Sequence, residues 1–185
     1  MVKRTKWFAT LLGLFVWGAG SIPVSGTELA SLPYEHITDV VSASGETEHA
    51  FLLRIAPQLR AYSDRTGFEA CGIIATDGHG GFGVVLGSNH SHIACENDPA
   101  RVPAGMTSTG ETIHSHGRHG LRILATAADW IFMGNPINPP HYVGGFDLSH
   151  FSDQDFLHPG YLATPTGLIY QHGPGNVEHV GDYRP

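Results

Sequence analysis

Residues 68–75 form a short apolar run closed by Asp77-Gly78-His79-Gly80-Gly81, and a second apolar segment, residues 82–86, follows at once. Runs of this length between turn-forming residues read as a buried strand and the returning arm of a hairpin. The chain is thereby committed to a central β-sheet. Glu69 stands at the start of the first strand, and acids are seldom buried without a partner. A carboxylate there implies either a structural ion pair with an arginine or a chemical task.

A second strand carries two histidines. Residues 111–116 read as extended chain stopped by Gly117 and Gly120, and β alternation sets His114 and His116 on one face, as ligands to one metal require. Before the hairpin, Ala50, Leu53, Ile55, Leu59 and Tyr62 fall mostly on one side of a helix that starts near Glu46. Pro57 is expected to kink or split that helix, and Gly67 to end it. Residues 27–44 read as an irregular lead-in, and 88–110 as a polar loop with a short strand at Ile93-Ala94-Cys95. Residues 121–133 read as a helix, and the stretch to Gly145 as loop. Ser152-Asp153-Gln154-Asp155 reads as a helix start capped by Ser152. Residues 161–164 and 168–170 form a hairpin over Pro165-Thr166-Gly167, and the tail after Gly173 is expected to be loose. Tyr142, Phe146 and Phe151 read as loop or core anchors.

The N-terminus is set apart from the fold. Lys3, Arg4 and Lys6 precede an apolar run over residues 7–17 and then small residues to Gly26, the layout of a secretory signal peptide. Residues 1–26 are assigned to it, and 27–185 to a single domain. The run is well short of the ~20 residues that span a bilayer, so no stable membrane anchor is expected after its removal. The protein is expected to be secreted or periplasmic. Loss of the three cations takes the net charge from −7 to about −10, which argues against nucleic acid as a partner. An oxidising compartment favours a Cys71–Cys95 disulfide over two small buried residues or a catalytic thiol.

Glu69 ahead of Cys71-Gly72-Ile73-Ile74, then His114-Ser115-His116, then Ser152-x-x-Asp155, resembles the JAB/MPN-type (JAMM) zinc metallopeptidases. More narrowly, Phe151-Ser152-x-x-Asp155 followed by Tyr161-Leu162-Ala163-Thr164-Pro165-Thr166-Gly167 is similar to the JAB-like domains of bacterial exported and polymorphic-toxin proteins. The resemblance covers about residues 46–172. It implies an α/β (α+β mixed) fold, a curved mixed sheet packed between helices with the metal at the sheet's edge. It also implies Zn2+ held by His114, His116 and Asp155, Glu69 as general base and Ser152 as oxyanion stabiliser. Two imidazoles and a carboxylate suit zinc with one position left for water, and a separate carboxylate takes that water's proton.

Two departures from the family stand out. Residues 117–154 separate His116 from Asp155, a much longer interval than usual, and such an insertion must loop out, often over a cleft. Gly117 stands where the family commonly has proline. The interval also contains Thr126-Ala127-Ala128-Asp129, a rival hydroxyl-x-x-aspartate at close to the family distance. Motif context favours Asp155 over Asp129 as the third ligand. A second His-x-His pair, His90 and His92, reads as a solvated or cleft-lining loop, as do His119, His141, His150 and His158. The expected function is hydrolysis of a peptide or isopeptide bond in cell-wall peptide or an exported protein. The alternatives are a non-catalytic binding domain of the same fold and a secreted toxin-type hydrolase.

Overall fold

The computed structural model describes residues 31–117, 122–134, 142–144 and 147–183. The expected signal peptide lies outside the described residues, as do His119, His141 and Phe146. Among the described residues, no helix is long and apolar enough to cross a membrane.

The chain enters through strand β1 (Glu35–Val41), inside the lead-in expected to be irregular. Its side chains are exposed or half-buried and it forms an edge of the sheet, so it lacks the apolar alternation that marks a buried strand. Helix α1 (Glu48–Thr66) starts on Thr47, whose hydroxyl accepts from the Ala50 N–H, and ends on Gly67 at φ 82°. It runs through Pro57 as one helix, contrary to expectation. Pro57 lies on the exposed side, where water can replace the missing hydrogen bond.

Strands β2 (Ala70–Thr76) and β3 (Phe82–Ser88) make the expected hairpin, and β4 (Thr107–Ser115) is longer than its sequence pattern implies. Next come β5 (Ile123–Leu124), α2 (Ala127–Phe132), β6 (Tyr142–Val143) and a 3-10 turn at Asp155–Leu157. The expected 121–133 helix is thus short. Thr126 and Asp129 form a capping box that starts α2 late, while β5 pairs with β6. No strand forms at residues 93–95. The chain closes with β7 (Gly160–Ala163), β8 (Gly167–Gln171) and β9 (Val177–Asp182). The tail expected to be loose is therefore a strand, tied to β8 by backbone pairing along its length.

Seven strands form one mixed sheet in the order β1-β3-β2-β4-β7-β8-β9. Its one parallel junction is β4 with β7, and parallel neighbours require a crossover. The long interval after His116 is that crossover. Where a sheet between helices is expected, the described residues show a mixed sheet with one long helix, α1, packed on one face. Phe51, Leu52, Ile55, Ala56, Leu59 and Tyr62 of α1 meet Ala70, Ile74, Val84, Leu86, Ile113 and Leu168 of the sheet. On β2, period 2 turns Ala70 and Ile74 to the helix, and Glu69, Cys71 and Ile73 to the opposite face. Cys71 there forms a disulfide with Cys95, which pins the 93–99 loop above the sheet and excludes a catalytic thiol.

Candidate metal site

The pairing of β2 with β4 assembles the first half of the site. Cys71 lies opposite His114 and Ala70 opposite Ser115, so continuing the register puts Glu69 across from His116. All three of Glu69, His114 and His116 are buried and line one cleft of about 460 Å³. The crossover brings in Asp155. His114 Nε2 is 3.3 Å from Asp155 Oδ1 and His116 Nε2 is 3.2 Å from Asp155 Oδ2. One donor atom from each of these three residues lies within 4.8 Å of the other two, the one such group among the described residues.

Each donor is held from behind. The Asp147 carbonyl can only accept, so His116 Nδ1–H donates to it at 2.7 Å, and in the neutral ring Nε2 then carries the lone pair. Asp147 belongs to the insertion, which therefore sets the tautomer of a candidate ligand. Buried Arg60 donates to the His116 carbonyl at 2.9 Å. Ser63 and Leu59 of α1 hold the Ser115 hydroxyl, fixing the end of β4 between the two histidines. Asp155 Oδ2 accepts from both the Ser152 N–H (2.7 Å) and the Ser152 hydroxyl (2.8 Å). The expected Ser152 helix cap is thus reversed: the Asp155 carboxylate caps Ser152. Gln171, buried on β8, donates to the carbonyls of Asp155 and His158. No local signal in the sequence marks Gln171 or Asp147, since both act through partners distant in the chain.

The donor set fits a divalent metal ion on its chemistry. His114 Nε2 is buried and, although Asp155 Oδ1 lies 3.3 Å away, makes no well-directed hydrogen bond among the described residues. A native interior rarely leaves such an atom orphaned unless an ion or water completes it. Donors about 2.1 Å from a tetrahedral ion stand roughly 3.4 Å apart, close to the 3.3 Å from His114 Nε2 to Asp155 Oδ1 and the 3.2 Å from His116 Nε2 to Asp155 Oδ2, one separation to each carboxylate oxygen. The electrostatics agree. Burial opposes charge on Asp155, yet the His114 and His116 rings, 3.3 and 3.2 Å from its oxygens, hold its carboxyl far below the usual range. Burial likewise opposes charge on His116, but Asp155 and Glu69 more than offset it and raise its pKa.

Glu69 behaves differently. Burial pushes its carboxyl up to about 8, aided by the charges of Asp155 and Asp129 and opposed by His116. Among the described residues nothing forms an ion pair with it, so the structural pairing with arginine does not occur. A carboxyl poised near neutrality beside a metal-binding group can accept a proton and return it.

Asp129, the rival ligand, is occupied elsewhere. Fully buried, it accepts from the Ser91 hydroxyl (2.6 Å), the His92 N–H (2.7 Å), His92 Nδ1 (2.9 Å) and the Thr126 N–H (2.8 Å). It staples the crossover to the 88–94 loop, whose Ser91 carbonyl takes the Glu69 N–H. The second histidine pair flanks Phe68 as two ring contacts, with His90 Nε2 on Glu35. Neither ring joins the metal-binding group.

Gly117 sits where there is no room for a side chain. A Cβ there would stand 2.5 Å from the Gly67 carbonyl oxygen and 3.0 Å from that of His92, both backbone atoms. Gly117→Ala is expected to lower stability by about 1–3 kcal/mol, read from urea melts. A variant as stable as wild type would show that the backbone can part there.

Comparison with known proteins adds nothing to this geometry. No family model, curated protein or solved structure matches the chain.

Proposed function

We propose that the protein is an exported zinc-dependent hydrolase of peptide or isopeptide amides, built on a JAB/MPN-like fold. The observation that carries this reading is the convergence of His114, His116 and Asp155 beside buried Glu69, which has no ion-pair partner among the described residues. Two histidines and a carboxylate also ligate Fe(II) in oxygenases. A buried proton acceptor next to them is what hydrolysis requires, and it favours zinc. The expected signal peptide and the Cys71–Cys95 bridge support export to an oxidising compartment, where cell-wall peptide and exported proteins are the available amides.

Bound zinc would polarise the scissile carbonyl and acidify water toward a pKa of ~7. The chain's own groups do the rest. Glu69 takes one proton from the attacking water as its oxygen bonds to the carbonyl carbon. As the C–N bond breaks, Glu69 delivers that proton to the leaving nitrogen, giving a free carboxylic acid and an amine. The Ser152 N–H can hold Asp155 alone, which frees the hydroxyl to donate to the carbonyl oxygen as charge develops.

The test is metal content of purified protein by elemental mass spectrometry. About one zinc per chain is expected, lost in His114→Ala and Asp155→Ala and kept by folded Asp129→Ala. Iron in its place would support the oxygenase ligation instead. No metal after reconstitution would leave a non-catalytic binding domain.

A further inference from the structure

One wall of the metal-binding cleft is irregular chain. Residues 89–106 contain neither helix nor strand, and Ile93, Ala94, Cys95, Asn97 and Pro99 from this segment line the cleft. The polar ties of that wall are local. Ile93 and Ala94 donate their N–H groups to the Ser91 hydroxyl at 3.2 and 3.3 Å, and Glu96 donates its own to Asn89 Oδ1 at 2.7 Å. Arg101 pairs with Glu96 at 3.0 Å, and its guanidinium lies 4.0 Å over the Tyr34 ring, which holds the far end of the loop. Among the described residues, no N–H or O–H ties residues 93–99 to a strand of the sheet. The Cys71–Cys95 bond makes that connection.

On the sheet, the bond starts from a position opposite His114 and two residues past Glu69. The donors and the base nevertheless have supports of their own. Arg60, the Asp147 carbonyl, Ser152 and Gln171 hold the ligands, and Ser91, whose carbonyl takes the Glu69 N–H, is held by Asp129. Breaking the bridge therefore frees one cleft wall and leaves the metal site standing. Cys71 is 3% exposed, whereas Cys95 is half-buried and lines the cleft, so an incoming thiolate reaches the Cys95 sulfur. Resting on the hydrolase reading above, we propose that the Cys71–Cys95 bridge is an oxidation switch on that activity. The reduced chain binds metal but has an unformed substrate wall, and closing the bridge completes it. The two thiols form their bond by exchange with a partner disulfide, which takes up two electrons and two protons and leaves as a dithiol. Activity is thereby confined to an oxidising compartment, and a reducing one reverses the exchange.

The wall and the reaction are read separately. Zinc-loaded wild type, bridged or reduced by a phosphine, is compared with a Cys71→Ser/Cys95→Ser double variant, in which no freed thiol can bind the metal. The phosphine takes oxygen from water and becomes its oxide as the two thiols form. Amide hydrogen exchange at Ile93, Ala94 and Glu96 is expected to run about 10-fold or more faster without the bridge, with α1, β2 and β4 unchanged and zinc retained. Cleavage of a fluorescence-quenched peptide library at low concentration is expected to fall about 10-fold or more. Glutathione disulfide should restore it in reduced wild type and not in the double variant. Unchanged exchange at the wall, or equal cleavage with and without the bridge, would overturn the proposal. Faster exchange in α1 and β4 as well, or zinc lost from the double variant, would make the bridge a staple of the whole domain and overturn it too. A bridged form that holds zinc and cleaves no peptide would instead sink the hydrolase reading, and the wall's dependence on the bridge would stand on the exchange result.

Discussion

Glu69→Gln is expected to bind metal as the wild type does and to hydrolyse amides about 10²–10⁴-fold more slowly. The side chains are nearly isosteric, and Glu69 is outside the His114, His116 and Asp155 group, so metal retention is the control. The amide of glutamine cannot take up the water's proton, so the loss should fall on kcat while KM changes little. The carboxylate also has no described hydrogen-bond partner whose loss would unsettle the fold. The check is a paired measurement of zinc content and turnover on one preparation. A variant that keeps zinc and full turnover would remove Glu69 from the mechanism, and one that loses zinc would make it a ligand.

Asp129→Ala should be the most destabilising substitution near the site. It strips a fully buried carboxylate from the Ser91 hydroxyl, two backbone N–H groups and His92, and leaves those groups unsatisfied. Breaking a buried charge cluster in this way costs about 3–5 kcal/mol, or a Tm lower by roughly 10 °C for a domain of this size. The same carboxylate predicts an acid dependence. Burial works against it, but hydrogen bonds from His92 and Ser91 hold its pKa at about 2, below the ordinary 3.8. A depressed carboxyl contributes stability above its unfolded pKa and loses it as pH falls through the folded value. Wild type should therefore forfeit about 2 kcal/mol from this group between pH 4 and pH 2, and Asp129→Ala should lack that part of the acid limb. Urea melts at pH 7 and across that acid range would read both effects. A wild-type midpoint at pH 7 would show that the crossover is not stapled through Asp129.

Part of the fold is legible in local patterning alone. The Asp77–Gly81 turn between apolar runs marks the β2–β3 hairpin, and the alternation at His114 and His116 marks a shared face. Edge strands β1 and β9 leave no such mark, because their half-exposed residues carry no regular apolar period. An apolar, alanine-rich run such as 121–133 looks helical throughout, whereas pairing of β5 with β6 and the Thr126 capping box decide where its helix begins. Asp129 and Asp155 share a hydroxyl-x-x-aspartate pattern, and in the sequence only motif context separates them. In the folded chain one carboxylate is consumed by the 88–94 loop, while the other meets the two histidines.

By itself the sequence determined which side chains can share a face, where turns must fall and which donor types are present. Those depend on neighbours within a few residues, through the two-residue period of a strand and the conformations open to glycine and proline. Tertiary structure alone decided that Glu69 stands across from His116, that Asp147 sets the His116 tautomer, that Gln171 holds Asp155, and that Gly117 has no room for a Cβ. Each depends on strand register or on closure of the crossover between parallel β4 and β7. The free energy of those pairings is gained between segments far apart in the chain, so no local pattern records them.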